Sequence, residues 1–151
     1  MLDRLSLGAL DIPLTGLIFL LMVATALDLQ ARRVPNALVG AGLMGTIIVF
    51  PLLQLMPVAQ AIAGGLLGLL MFLPFYAMGW MGAGDVKLLS LVGSVLGPNA
   101  LLQSTAYIFI AGGLVTVIYL FARRDRPATQ DIPYAVAISL GVLSYLVIHR
   151  L

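Results

Sequence analysis

What most constrains this chain is a series of long apolar runs. Six stand out: Ile12–Leu27, Ala37–Leu55, Val58–Met78, Asp85–Leu96, Ala100–Ala122 and Ile132–Ile148. Runs of ~20 apolar residues cross a bilayer as α-helices, because lipid offers backbone N–H and C=O groups no partner outside the helix itself. The breaks between the runs carry matching signals. Pro35-Asn36 precedes the second run, with Asn36 as the expected N-cap. Met56-Pro57 separates the second from the third, and Gly97-Pro98-Asn99 reads as a turn. Asp131 with Pro133 reads as an N-cap followed by an early helical proline. Pro51 and Pro74 fall inside runs and predict kinks. The expectation is an all-α polytopic membrane protein, with residues 1–151 forming one domain embedded in the lipid bilayer.

Composition removes several function classes. With 62% of residues hydrophobic and 9% charged, no polar stretch is long enough for a second, soluble domain. A net charge of +2 gives no footing for a nucleic-acid partner, so the eight basic residues read as topology signals. The absence of cysteine excludes a disulfide, a thiolate metal site and a cysteine nucleophile. His149, the single histidine, lies two residues from the end; serine–histidine catalysis and an HExxH zinc site both lack their parts. Neither a metal nor a cofactor is expected. Ala24-Thr25-Ala26 looks like a signal cleavage site, yet the flank before the run carries Asp3 and Asp11 against Arg4. The first run is therefore read as a retained helix.

The fourth run, about twelve residues, reaches only about 18 Å at 1.5 Å per residue, short of a ~30 Å hydrocarbon core. Charge decides how to treat it. If all six runs span, Arg32, Arg33, Lys87, Arg123, Arg124 and Arg126 fall on one side, and Arg4 and Arg150 on the other. That is the positive-inside pattern with the N-terminus outside. A re-entrant fourth run would reverse the arginines of ARRDR. Six transmembrane helices are expected, with the start of the fourth lining a cavity open to the cytoplasm.

This topology puts Asp28, at the end of the first helix, and Asp85, at the start of the fourth, at similar depth on one face. Ionisable residues in a span are costly and mark function. Two of them facing one cavity can share a proton, one ionised to activate water and the other protonated to polarise a carbonyl. Gly82 and Gly84, just before Asp85, let the backbone bend and let a peptide come close. Helix ends suggest roles: Asp85 at an N-terminus as resting base, Asp28 at a C-terminus as resting acid. Lys87 is either a snorkelling anchor or a contact to a substrate carbonyl or acid. Lys87 and Ser90, three apart, also have the spacing of a Ser–Lys hydrolase. Met71, Met78, Met81 and Trp80 read as packing or interfacial residues, and His149 as interfacial.

Asp28 followed by ARRVPN (31–36), then GAGDVKLL (82–89), then IPYAVAISLG (132–141), resembles the type IV prepilin peptidase family of Gly-x-Gly-Asp membrane aspartyl proteases. The compact members serving tight-adherence (Flp) pili are the most similar. The resemblance implies an inner-membrane endopeptidase of bacteria. It would cut the basic leader from prepilins or pilin-like proteins at the cytoplasmic face, just before the apolar pilin helix. Asp28 and Asp85 would be the catalytic pair, with Gly82, Gly84, Pro35 and Asn36 supporting the site. Larger members carry a cysteine-bearing segment and N-methylate the product; this chain has neither the cysteines nor room for that segment, so N-methylation is not expected. Ala135 stands where relatives often have glycine. The alternative from another class is a small proton- or cation-coupled transporter subunit, its two aspartates carrying protons or binding a cation.

Overall fold

The computed structural model describes residues 2–31, 34–122 and 134–150, the side chains of residues 2–11, 31, 120, 122 and 150 excepted. Among the described residues the fold is all-helical, with six helices. They are α1 (Leu2–Ala31), α2 (Asn36–Leu52), α3 (Val58–Ala77), α4 (Ala83–Leu96), α5 (Pro98–Ala122) and α6 (Tyr134–Arg150). Helices α1, α3 and α5 contain segments long and apolar enough to cross a membrane, while α2 and α6 are shorter apolar helices. Large apolar side chains such as Phe19, Leu70, Ile110 and Phe121 stand exposed on the outside, as a lipid-facing surface requires.

Several boundaries differ from those read in the sequence. Helix α1 outruns its apolar run at both ends, and Asp28, one residue past that run, sits in its last turn as expected. Polar flanks do not end a helix whose backbone bonds are already made internally. Asn36 does not cap α2: Pro35 holds the cap position at φ −63°, ψ 134°, no side chain caps the helix, and the Pro35 carbonyl accepts from Leu38 and Val39 N–H. The Asn36 amide is drawn instead to Lys87. Residues Gly45–Val49 form a π-helical turn ahead of Pro51. The proline has no N–H for the usual i−4 bond, and a widened turn just before it absorbs the missing link. Pro74 lies within α3. The Asp131–Pro133 signal lies outside the described residues. Between α4 and α5 the link is one residue, Gly97, at φ 79°, after which Pro98 opens α5. Only glycine takes that conformation freely, and proline suits a first helical position.

The short α4 is the axis of the fold. It packs against all five other helices, and Val86, Leu88, Leu89, Leu91, Val92 and Val95 are buried around most of its circumference. Its fourteen residues rise about 21 Å. Its closest companion is α3, against which it lies backbone to backbone. A Cβ on Gly64 would overlap the Gly93 carbonyl, one on Gly93 would overlap the Gly64 carbonyl, and one on Gly68 would overlap the Leu89 carbonyl. Without a solvent drive between helices in lipid, such close approach by small residues supplies the packing. Ser90 Oγ adds a 2.9 Å bond to the Gly65 carbonyl. Gly141 of α6 meets the Ile108 backbone of α5 in the same manner.

Candidate active site

Helix α1 turns one stripe inward: Leu17, Leu21, Ala24 and Asp28, spaced four, three and four apart, are all buried. That spacing is a helical face, so the fourth member of an apolar stripe is a carboxylate. Asp28 is 9% exposed, and its Oδ2 accepts the Ala135 N–H of α6 at 3.3 Å. One turn earlier, Thr25 and Ser139 share a hydroxyl–hydroxyl bond of 2.7 Å, and Ser139 also donates to the Leu21 carbonyl. Polar pairing thus holds α1 against the start of α6, in the register that brings Asp28 to a free helix N–H.

Asp85 reaches the site from the other direction. Helix α4 starts at Ala83, so Asp85 is its third residue, and its Oδ2 folds back to accept the Gly82 N–H at 3.2 Å. This is the carboxylate half of a capping box. Neither glycine of the motif uses a left-handed backbone. Gly82 is extended, at φ −73° and ψ 152°, and Gly84 is helical; among the described residues of this stretch it is Gly79 that takes a positive φ, 74°. Gly82 is needed for space. A Cβ on Gly82 would lie 3.0 Å from the Asp85 carboxylate, whereas one on Gly84 would meet Val34 at 3.4 Å, an ordinary contact. Gly82 leaves room for the carboxylate to fold back. The first turn of α4 lies against the Val34-Pro35-Asn36 turn, which places Lys87 Nζ 2.9 Å from Asn36 Oδ1.

The outcome is one cavity of about 330 Å³ lined by Asp28, Val34, Asn36, Gly82, Ala83, Gly84, Asp85 and Lys87. Helices α1 and α4, with the turn into α2, thus bring both aspartates to a common space. They are close enough for the charge of Asp28 to bear on Asp85. With the two carboxyls this near, ionising both costs more than ionising one. Of the aspartate pair, the four residues read as supporting it and Lys87, Pro35 alone does not line the cavity; it starts α2 beside it. Ser90 faces α3 while Lys87 faces Asn36, so the Ser–Lys pair is not assembled. Arg32 and Arg33 lie outside the described residues. Helix ends also no longer separate the two aspartates, because Asp28 meets the N-terminus of α6 as Asp85 meets that of α4. Tyr134 was not foreseen: it opens α6 within reach of the charge of Asp85. Its place beside the acids follows from the α1–α6 contact, which no local pattern announces.

Comparison with known protein families places the chain. A family model described as the type IV leader peptidase family matches residues 15–121. The chain belongs to that family. It is accordingly an aspartic-type prepilin peptidase with membrane helices. No curated protein and no solved structure gives a significant match. The matched stretch contains both aspartates and the whole lining of the cavity, whereas α6, which supplies the N–H to Asp28, follows it.

Proposed function

We propose that this peptidase removes the leader from prepilins or pilin-like proteins at the cytoplasmic face of the bacterial inner membrane, with Asp28 and Asp85 as its catalytic pair. The observation that carries the reading is the shared cavity: two aspartates from α1 and α4 line one space, where a single proton serves both. The ionised member takes a proton from water, and the hydroxide so formed attacks the scissile carbonyl. The protonated member gives its proton to the carbonyl oxygen. Collapse of the tetrahedral intermediate breaks the C–N bond. The proton held by the first aspartate passes to the leaving nitrogen, and the gem-diol returns one to the second. The pair regains its starting proton count, with no covalent intermediate. Acid and base are assigned to the pair and not to either member.

The six helices span the bilayer with the N-terminus outside, which gathers six of the eight basic residues of the sequence on the side of the two aspartates. Lys87 lines the cavity with its ammonium held by Asn36, and it contacts a carbonyl of the bound leader. The chemistry stops at hydrolysis, without N-methylation.

The test is cleavage of co-expressed candidate prepilins, read by gel shift and N-terminal sequencing, with wild type, Asp28→Asn and Asp85→Asn. Asparagine keeps the size and the acceptor oxygen for Ala135 or Gly82 N–H but neither gives nor takes the proton. Each variant should be present in the membrane and lose cleavage roughly 10²–10⁴-fold. Cleavage at wild-type level by both variants would remove the aspartates from the mechanism.

A further inference from the structure

Tyr134 stands between the two aspartates. It is the first residue of α6 and is half-buried. Its backbone lies beside one of them: the next residue, Ala135, donates its N–H to Asp28 at 3.3 Å, and consecutive Cα atoms are about 3.8 Å apart. Its side chain lies within reach of the charge of the other, Asp85. The ring is braced from behind. It lines a separate cavity between α3, α5 and α6, whose walls include Phe72, Trp80, Met81 and Phe109. Met81 precedes Gly82, which lines the acid cavity, so the wall that holds the ring runs directly into the acid site. A ring packed in this way is placed before any substrate arrives.

The other donors near the aspartates are already engaged. The Gly82 and Ala135 N–H groups serve the two carboxylates, Lys87 Nζ is bonded to Asn36, and the Thr25 and Ser139 hydroxyls are bonded to each other. The Tyr134 hydroxyl has no hydrogen-bond partner among the described residues. Its O–H can rotate to meet a new acceptor.

Hydrolysis by the pair creates such an acceptor. The protonated aspartate gives its proton to the scissile carbonyl oxygen, and that oxygen has two lone pairs. A second donor on the other lone pair binds more strongly as the carbonyl becomes tetrahedral, and only an interaction that strengthens in this way lowers the barrier. The donor is best neutral. An ammonium here would hold a carboxylate ionised and oppose the shared proton on which the pair depends. A phenol donates without adding charge.

We propose, on the leader-peptidase reading, that Tyr134 is a catalytic residue: its hydroxyl donates a hydrogen bond to the scissile carbonyl oxygen and holds that oxygen through the tetrahedral intermediate. The phenol keeps its proton throughout, so the proton count of the aspartate pair is unchanged.

Tyr134→Phe provides the test, because it removes one oxygen and leaves the ring on its aromatic wall. Wild type, Tyr134→Phe and Asp85→Asn are purified in detergent and compared on one prepilin for kcat, KM and the pH profile of kcat. Loss of one donor to a developing oxyanion costs about 10²–10³-fold in kcat. Tyr134→Phe should lose about 10²-fold in kcat, with KM within about twofold of wild type, the pH profile in place and the monodisperse peak intact. A wild-type kcat overturns the proposal. A loss confined to KM overturns it too, since the hydroxyl then binds substrate and transition state alike. A displaced pH profile assigns the hydroxyl to the aspartates instead of the substrate, and loss of the folded peak makes it structural; either outcome overturns the proposal. Failure of wild type to cut any prepilin sinks the leader-peptidase reading and this inference together, whereas full activity in Tyr134→Phe sinks this inference alone.

Discussion

Helix α4 is held in two different ways along its length. Its middle and far end lie against α3 through a seam of glycines, where Gly64 and Gly68 meet the backbone at Gly93 and Leu89 with no room for a methyl group. Its first turn lies open to a cavity and is held by polar contacts of 2.9 Å and 3.2 Å, Lys87 to Asn36 and Gly82 N–H to Asp85. Glycine occurs in both regions for different reasons. In the seam it lets two backbones touch, which stabilises the pair. At the open end it leaves space around a carboxylate, which the proposed chemistry needs. The same residue type therefore predicts opposite mutational phenotypes at the two ends of one short helix.

The largest expected effects separate the regions. Gly93→Leu drives a side chain into the Gly64 carbonyl and Leu101, an overpacking worth about 3 kcal/mol or more. It should remove folded protein, seen as loss of the monodisperse peak in detergent. Asp85→Asn should leave that peak and the apparent melting temperature within a few degrees of wild type while cleavage disappears. If Gly93→Leu purifies as stably as wild type, the seam is not what holds α4.

Next comes Gly82→Ala. Its new methyl group would sit 3.0 Å from the Asp85 carboxylate, which must then shift by a few tenths of an ångström or more. Misplacing a catalytic group by that order costs about 10- to 100-fold in rate. The expected result is a folded enzyme with kcat reduced on that scale. An unchanged kcat would mean that the carboxylate does not work from the folded-back position.

These contrasts also mark what was legible in the sequence. The apolar runs gave the helices and the glycine-proline breaks gave their order, because both follow from local chemistry. Asp28 and Asp85 stood out as acids at the edges of apolar runs. The family match then covers the stretch that holds both of them. What the sequence did not disclose are tertiary substitutions of local roles. Asn36 read as a cap, and the fold gave its amide to Lys87. Asp28 read as the carboxylate of a helix C-terminus, and α6 brought it an N-terminal N–H. Gly84 read as a bend, and it is a helical contact to Val34. In each case the deciding partner lies far away in the chain, where no window of sequence reaches.

A smaller effect tests how α6 serves Asp28. Thr25→Val keeps the shape of the side chain and removes its bond to Ser139, while Ser139 keeps the Leu21 carbonyl as acceptor. A hydrogen bond between membrane helices averages about 0.6 kcal/mol. The melting temperature in detergent should fall by a few degrees at most, with cleavage reduced less than about threefold. Loss of cleavage on the scale of Asp28→Asn would instead make the hydroxyl pair part of the machinery that positions the carboxylate.

The smallest effect is expected inside the seam, at Ser94. Its hydroxyl is fully buried and, among the described residues, has no hydrogen-bond partner. A buried polar group without a partner carries its desolvation cost uncompensated, about 1–3 kcal/mol where it is truly dry. Removing it in Ser94→Ala takes away that cost, and it also takes away one oxygen's worth of packing, which works in the other direction. The side chain lies across from Gly65, where the next bond along the seam, Ser90 to the Gly65 carbonyl, already fixes the register. Ser94→Ala should therefore leave cleavage unchanged and the melting temperature equal to wild type or slightly higher. A clear drop in stability would show that the hydroxyl is satisfied in the membrane after all, and that the seam depends on polar contacts as the open end does.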